Sequence, residues 1–434
     1  MTKSKNKTSA GKRKISRGKL ALCIILSIIL ALGLLAGVAA IMNDQSTKAL
    51  IDLANNFNTV RYDGGLTPAK DADGDWCFVT DRDFRIVQIT DIHLGSGLLS
   101  AKKDRWAMNA VANMISAEKP DLVIVTGDAA FPVPYSSGTF NNRNAATVFC
   151  TMMEKLGVYW TFAFGNHDTE AYSYYPREKI DKLYAEYASK EGSHCLYQSA
   201  PDIDGKGNQI IKIKNSQGLV TQAITVFDSH SYTDGDVMGI LWKYDNIHQN
   251  QVDWYANKIK KINADNAAID PSATPVKNIM FFHIALREYR DAWKELIEAN
   301  PDVKDLDYKN TENVTYKYGV MGESSGMNPL AKNGETYGIF CGIGDDQVFE
   351  VGKENGLQGI FCGHDHLNNF SLEYKGVRLT YGMSIDYLAY SGIWKKRAQR
   401  GCTLITVHPD GSFDSANSHY YQDKYKPNDE SSVD

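Results

Sequence analysis

Five apolar runs of strand length in this chain each stop at a short polar group containing a histidine, an aspartate or both. Phe84–Thr90 ends in Asp91-Ile92-His93, Leu122–Thr126 in Gly127-Asp128, and Val158–Phe164 in Gly165-Asn166-His167-Asp168. Asn278–Phe282 ends in His283, and Gly359–Cys362 in Gly363-His364-Asp365-His366. Helical spacing of apolar residues at about 102–118 and 145–156 separates the first three runs, which predicts β-α-β-α-β. Strands this continuously apolar belong to a sheet covered on both faces. Ligand sites in such sheets form beyond the strand C-terminal ends, where all these polar residues fall. A strand at 223–228 and a helix at about 249–264 follow, and short runs at 357–362, 369–374, 377–381 and 402–408 predict a second, more antiparallel sheet. Residues 286–350 are polar and glycine-rich with weak periodicity and read as a long insert.

The five ends supply two carboxylates, one amide and four imidazoles, with His167 to spare. That is about what a two-ion site needs: one carboxylate bridging the ions and neutral nitrogen or oxygen ligands completing each shell. Each member alone has a bland explanation, since a strand-terminal Asp ordinarily caps a helix or turn. The convergence of five ends carries the metal reading. His364 and His366 alternate on one side of an extended segment, so both can face the same ions. Asp365 between them is expected to bond a neighbouring loop. His230, following Asp228-Ser229, is a candidate for lining the cleft.

In order, these groups resemble the motifs of the calcineurin-like metallophosphoesterase superfamily: Asp-x-His, Gly-Asp, Gly-Asn-His-Asp/Glu, a strand-borne His and Gly-His-x-His. The resemblance spans about 84–408, and Gln251-Val252-Asp253-Trp254 is similar to a recurring Gln-x-x-Trp of the purple-acid-phosphatase-like branch. It implies a four-layer α/β/β/α sandwich of two mixed sheets. It also implies two divalent ions, with Mn, Fe, Zn or a mixed pair left open. Asp91, His93 and His366 would bind the first ion, Asn166, His283 and His364 the second, and Asp128 would bridge. Substrate phosphate would meet Asn166 and His167. His167 would act as general acid, oriented by Asp168, while hydroxide formed at the ions attacks phosphorus in line. Phe131 stands where purple members have an iron-binding Tyr, so tyrosinate charge transfer is not expected. The implied activity is hydrolysis of phosphate esters, monoesters ahead of diesters, on a small phosphorylated molecule or a phosphoprotein. The alternative is a non-catalytic surface protein that keeps the metal site for phospholigand binding or stability.

Eight of the 47 Lys and Arg residues lie within residues 1–19, where there is no Asp or Glu. Leu20–Met42 follows without a charge, and a bilayer core needs about 20 such residues. Positive-inside logic keeps residues 1–19 in the cytoplasm and exports the rest. The run is longer than a usual signal core, which favours an uncleaved single-pass anchor at the cell membrane. Cleavage after Val38-Ala39-Ala40, giving a secreted form, is the competing reading. Residues 43–82 read as a polar tether and lead-in, and 83–434 as the catalytic domain. With the basic tail set aside the body is acidic, which argues against a nucleic-acid partner. Six of the seven cysteines lie in the exported part, and their pairing is not legible.

Overall fold

The computed structural model describes residues 16–427 apart from 63, 238, 304–305, 325–326, 329–333, 391–392 and 394–398. Most of the basic tail, 1–15, therefore lies outside the described residues. The chain opens with helix α1 (Arg17–Asn56), strands β1 (Ala69–Lys70), β2 (Trp76–Val79) and β3 (Phe84–Ile89), α2 (Ala101–Glu118), β4 (Leu122–Thr126), α3 (Pro134–Ser137), α4 (Asn142–Leu156) and β5 (Trp160–Ala163). It continues through α5 (Arg177–Ala188), β6 (Gln209–Lys214), β7 (Val220–Val226), α6 (Gln249–Ile269), β8 (Lys277–Phe281), α7 (Arg287–Ala299), β9 (Val314–Tyr318), β10 (Met327–Asn328) and β11 (Gly334–Glu335). It closes with α8 (Val348–Glu354), β12 (Leu357–Cys362), β13 (Ser371–Tyr374), β14 (Val377–Tyr381), β15 (Gly401–Val407) and β16 (Phe413–His419).

Two mixed sheets pack face to face. One has the order β16-β15-β3-β4-β5, and the other β1-β2-β6-β7-β8-β12-β14-β13-β9. Phe84, Ile86 and Ile124 from the first meet Ile224, Ile279, Phe281 and Phe361 from the second in an apolar layer between them. Helices α2, α4 and α5 cover the outer face of the first sheet, packing on Val87, Val123 and Phe162, and the last turns of α1 pack on α2 and α4. Helices α6, α7 and α8 cover the second, on Met280, Ile360 and Leu379. These are the four expected layers, α/β/β/α. The continuous apolarity of β3, β4, β8 and β12 follows, because each strand has packing on both faces.

Three readings of the sequence need correction. The 402–408 strand does not join the second sheet: β15 pairs antiparallel with β3 and completes the first. Residues 43–56 are not a tether but the last turns of α1, where Thr47, Leu50 and Ala54 bury one face at spacings of three and four. The 286–350 segment contains regular structure. Helix α7 buries Tyr289, Ala292, Trp293 and Leu296 on one face, and β9 pairs with β13. Charged residues on the other faces of α7 dilute that signal in sequence.

The sheets also meet at the strand ends that carry the polar groups. Gln88 Nε2 donates to Cys362 O across the seam at 3.0 Å, and Thr90 bridges Ser384. Gly363 lies so near β3 that a Cβ there would sit 2.0 Å from Thr90 Oγ1. Gly363→Ala is therefore expected to force the sheets apart, costing about 1–3 kcal/mol as overpacking does. A denaturant midpoint unchanged from wild type would contradict this close approach.

Candidate metal centre

The loops leaving β3 and β4 run side by side. Asp91 N donates to Gly127 O, His93 N to Asp128 O and Leu94 N to Ala129 O, which places three polar side chains together. Asp91, His93, Asp128 and His364 all have φ between 51° and 79°. Left-handed backbone is unfavourable for side-chain-bearing residues and collects at functional sites.

Two ligand groups converge in the seam. In the first, potential ligand atoms of Asp91, His93, Asp128 and His366 lie within 4.8 Å of one another. His93 Nε2 is 3.3 Å from Asp128 Oδ2, and His366 Nε2 is 3.5 Å from Asp91 Oδ1. In the second, Asn166 Oδ1 lies 3.1 Å from His283 Nε2 and 3.0 Å from His364 Nδ1. His283 Nε2 is also 3.1 Å from Asp128 Oδ2. The same Asp128 oxygen thus faces both groups, as a bridging carboxylate must.

Outer partners aim these side chains inward. His283 Nδ1–H donates to Thr126 O at 2.8 Å, which leaves its Nε2 lone pair on the centre. Asn166 Nδ2 donates to Tyr232 Oη at 2.9 Å, which turns Oδ1 inward. Asp386 holds the outer nitrogen of His366, 3.2 Å from its Nδ1, and lies 3.5 Å from His93 Nδ1. Its carboxylate is fixed in turn by the N–H groups of Leu388, Ala389 and Tyr390.

The residues fit a pair of divalent cations. Asp91 Oδ1 is buried with no hydrogen-bond partner among the described residues, a costly state that a cation relieves. Burial alone would raise the Asp128 carboxyl, but His283 and His167 hold it well below its usual range. Burial pulls His283 and His366 down, yet the carboxylates outweigh it and bring them to about 9 and about 10. Burial, reinforced by His283, drives His364 well below its usual value, so it stays a neutral donor. The centre draws in positive charge.

His167 belongs to neither ligand group. It lines a cavity of about 370 Å³ together with His364, His366, Trp242, Tyr244, Phe340, Glu323 and Tyr390. Its orienting partner is not Asp168. That carboxylate accepts N–H groups of Asp128, Ala130 and Gly165 and ties the β4 and β5 loops together. Glu170 orients His167 instead, with Oε1 2.7 Å from Nδ1. Residues 167–169 form a 3₁₀ turn, which brings residues i and i+3 onto one line.

His230 also departs from expectation, because it does not line the cavity. Its Nε2 lies 2.8 Å from Gln251 Oε1, and its ring stacks on His248 at 4.0 Å. Tyr232, two residues on, reaches the centre in its place and also donates to Glu170. Gln251 anchors α6, donating to Asn208 Oδ1 and Asp228 O. Asp365 accepts from Tyr381 Oη and Phe340 N, a loop contact as expected. All seven cysteines are free.

The family model for calcineurin-like phosphoesterases matches residues 84–368. The chain belongs to that family. It falls in the purple-acid-phosphatase-like branch, being 27% identical over 345 residues to probable inactive purple acid phosphatase 14 of Arabidopsis thaliana. That match covers 74% of this chain and 75% of the relative. Probable inactive purple acid phosphatase 29 of the same plant is 26% identical over 337 residues, covering 74% and 77%. Among solved structures, a dimetal phosphatase from Danio rerio covers 79% of this chain and 98% of its own, at 9% identity and a TM-score of 0.44. The phosphoesterase fold gives these ligands a phosphate-ester hydrolase setting. Phe131 packs its ring 5.2 Å from His93 and 4.9 Å from His167, so this member offers no phenolate there.

The two flanking carboxylates have separable effects. Asp386→Asn is expected to weaken metal affinity about 10- to 100-fold, as loss of a ligand's outer partner does, and a metal titration reads this. His167 titrates above its usual value: burial opposes this, but Asp128 and Glu170 outweigh it. Removing the Glu170 charge lowers that pKa, so in Glu170→Gln the His167 imidazole titrates at lower pH, read by NMR. An unmoved titration would show that Glu170 does not govern the pKa of His167.

Proposed function

We propose that this chain hydrolyses phosphate esters, monoesters ahead of diesters, at a two-ion centre outside the membrane that α1 crosses. In this reading residues 1–19 stay in the cytoplasm, 20–42 span the bilayer and 83–434 form the catalytic domain. The observation that carries the activity is a complete ligand set beside an imidazole left out of it. Among the described residues, Asp91, His93, Asp128 and His366 converge, Asn166 joins His283 to His364, and His167 faces the adjoining cavity. A cavity of about 370 Å³ suits one small phosphorylated molecule.

A pair of divalent ions held there would supply Lewis acidity toward phosphate oxygens and a bound water acidic enough to ionise near neutral pH. The mixed nitrogen and oxygen donor set suits Mn, Fe or Zn. The remaining work falls to the chain. Asp128 fixes the spacing of the two ligand groups. His167 donates Nδ1–H to Glu170, which leaves Nε2 to hold the proton that the leaving oxygen takes. Tyr232 links Asn166 to Glu170, so metal ligand and acid share one support.

The Arabidopsis relatives are named probable inactive, which favours a second reading without turnover: a surface protein that keeps the metal site for phospholigand binding or stability. Metal content measured beside turnover of nitrophenyl phosphate and its bis-ester separates the two. His167→Ala is expected to keep both ions and lose about 10²- to 10⁴-fold in rate, Asp128→Ala to lose ions and activity together, and chelation to abolish turnover. Two ions per chain with no turnover of either ester would establish the binding reading instead.

A further inference from the structure

Helix α1 does not stop where its apolar run stops. Asn43, the first polar residue after Met42, continues the same helix and is tied to the domain on both sides. Its Oδ1 accepts the N–H of Leu98 at 2.8 Å, and its Nδ2 donates to Gly138 O at 2.8 Å. One turn further, Ser46 Oγ donates to Gly97 O and Thr47 Oγ1 to Ser96 O. Leu50 and Ala54 are then buried against the domain. With these ties beginning at the first residue past the apolar run, no free segment separates that run from the domain.

The surface around this junction is apolar. Leu99 is 59% exposed, Tyr135 84% and Tyr174 64%, with Leu98 and Phe140 also exposed. These residues are contiguous. Leu99 N donates to Ser137 O on α3, the helix that carries Tyr135. Tyr174 N donates to Phe140 O, and the two rings stack at 5.9 Å. Clustered exposed apolar side chains mark interaction surfaces, and amphipathic aromatics favour the membrane–water interface.

We propose that this face rests in the outer interface of the bilayer, with Leu98, Leu99, Tyr135, Phe140 and Tyr174 among the headgroups. The proposal rests on α1 crossing the membrane. Leu20–Met42 rises about 1.5 Å per residue and so matches the roughly 30 Å hydrocarbon thickness, which puts Asn43 at the interface. Leu98 is one hydrogen bond from Asn43 and cannot stand away from it. The segment bearing Leu98 and Leu99 leaves β3 directly after His93, and α3 follows Phe131, which packs on His93. The edge of the domain beside the metal centre is thus turned toward lipid. The reaction is directed at phosphate esters presented at the membrane surface.

The test uses the full chain in phosphatidylcholine liposomes with Cys23→Ser as background, the other native cysteines being buried. A nitrobenzoxadiazole dye is attached at Leu99→Cys or at Gln217→Cys, the latter in the turn before β7 at the far end of the strands. Headgroup-spin-labelled lipid is expected to quench the dye at 99 several-fold more than at 217, with Tyr135→Cys repeating the result at a second position. Equal quenching at all three positions, in a chain that resists carbonate extraction, overturns the proposal and leaves the anchor reading intact. Extraction by carbonate removes the anchor reading and the proposal together. Shielding at 99 that depends on protein concentration and not on lipid assigns the face to a second copy of the chain.

Discussion

Three aspartates, Asp91, Asp128 and Asp386, are buried within a few ångströms of four imidazoles where the two sheets meet. Gathering like charges away from water is strongly unfavourable unless cations answer them. Burial lowers the pKa of His283 and His366, but these carboxylates outweigh it and hold both above their usual value. The rest of the site is organised around the same demand. Backbone N–H groups reach Asp168 and Asp386, outer hydrogen bonds fix His283 and Asn166, and glycines at 127, 165 and 363 let the loops close to distances that a Cβ would prevent.

Neither sheet owns the centre. The smaller sheet brings Asp91, His93, Asp128 and Asn166, and the larger brings His283, His364 and His366. Each ligand group draws on both, so ion binding ties together surfaces that are otherwise held by the apolar layer between the sheets and a few cross-strand hydrogen bonds. Ligands that bind only the folded state add their binding free energy to its stability, and here that energy would act between the two sheets.

The ligands themselves were legible because each ends an apolar run, and strand ends are where open α/β sheets present polar groups. The supporting residues were not. Asp386 follows β14 in an unremarkable loop, and only the crossing of the sheets places it behind His93 and His366. Glu170 directly follows a single 3₁₀ turn, a local geometry that leaves no periodic trace. The family resemblance implies that Asp168 orients His167, whereas its carboxylate turns back to the backbone of neighbouring loops. Tyr232 reaches the centre from a segment with no pattern, and His230 is claimed by Gln251. The larger misreadings share a cause. A strand's run does not say which sheet it joins, as with β15, and a helix whose other faces are charged, as with α7, resembles a loop until its buried stripe is located.

The placement of β15 bears on how the chain can be shortened. All seven candidate ligands lie before residue 367, so a fragment ending just past His366 would hold every one of those side chains. It would still lack the strand that covers one side of β3. That side would present an unpaired row of backbone N–H and C=O groups beside the loop carrying Asp91 and His93, a template for pairing with other chains. The same open edge exists during synthesis until residues 401–407 arrive, so β15 protects the first strand of the site.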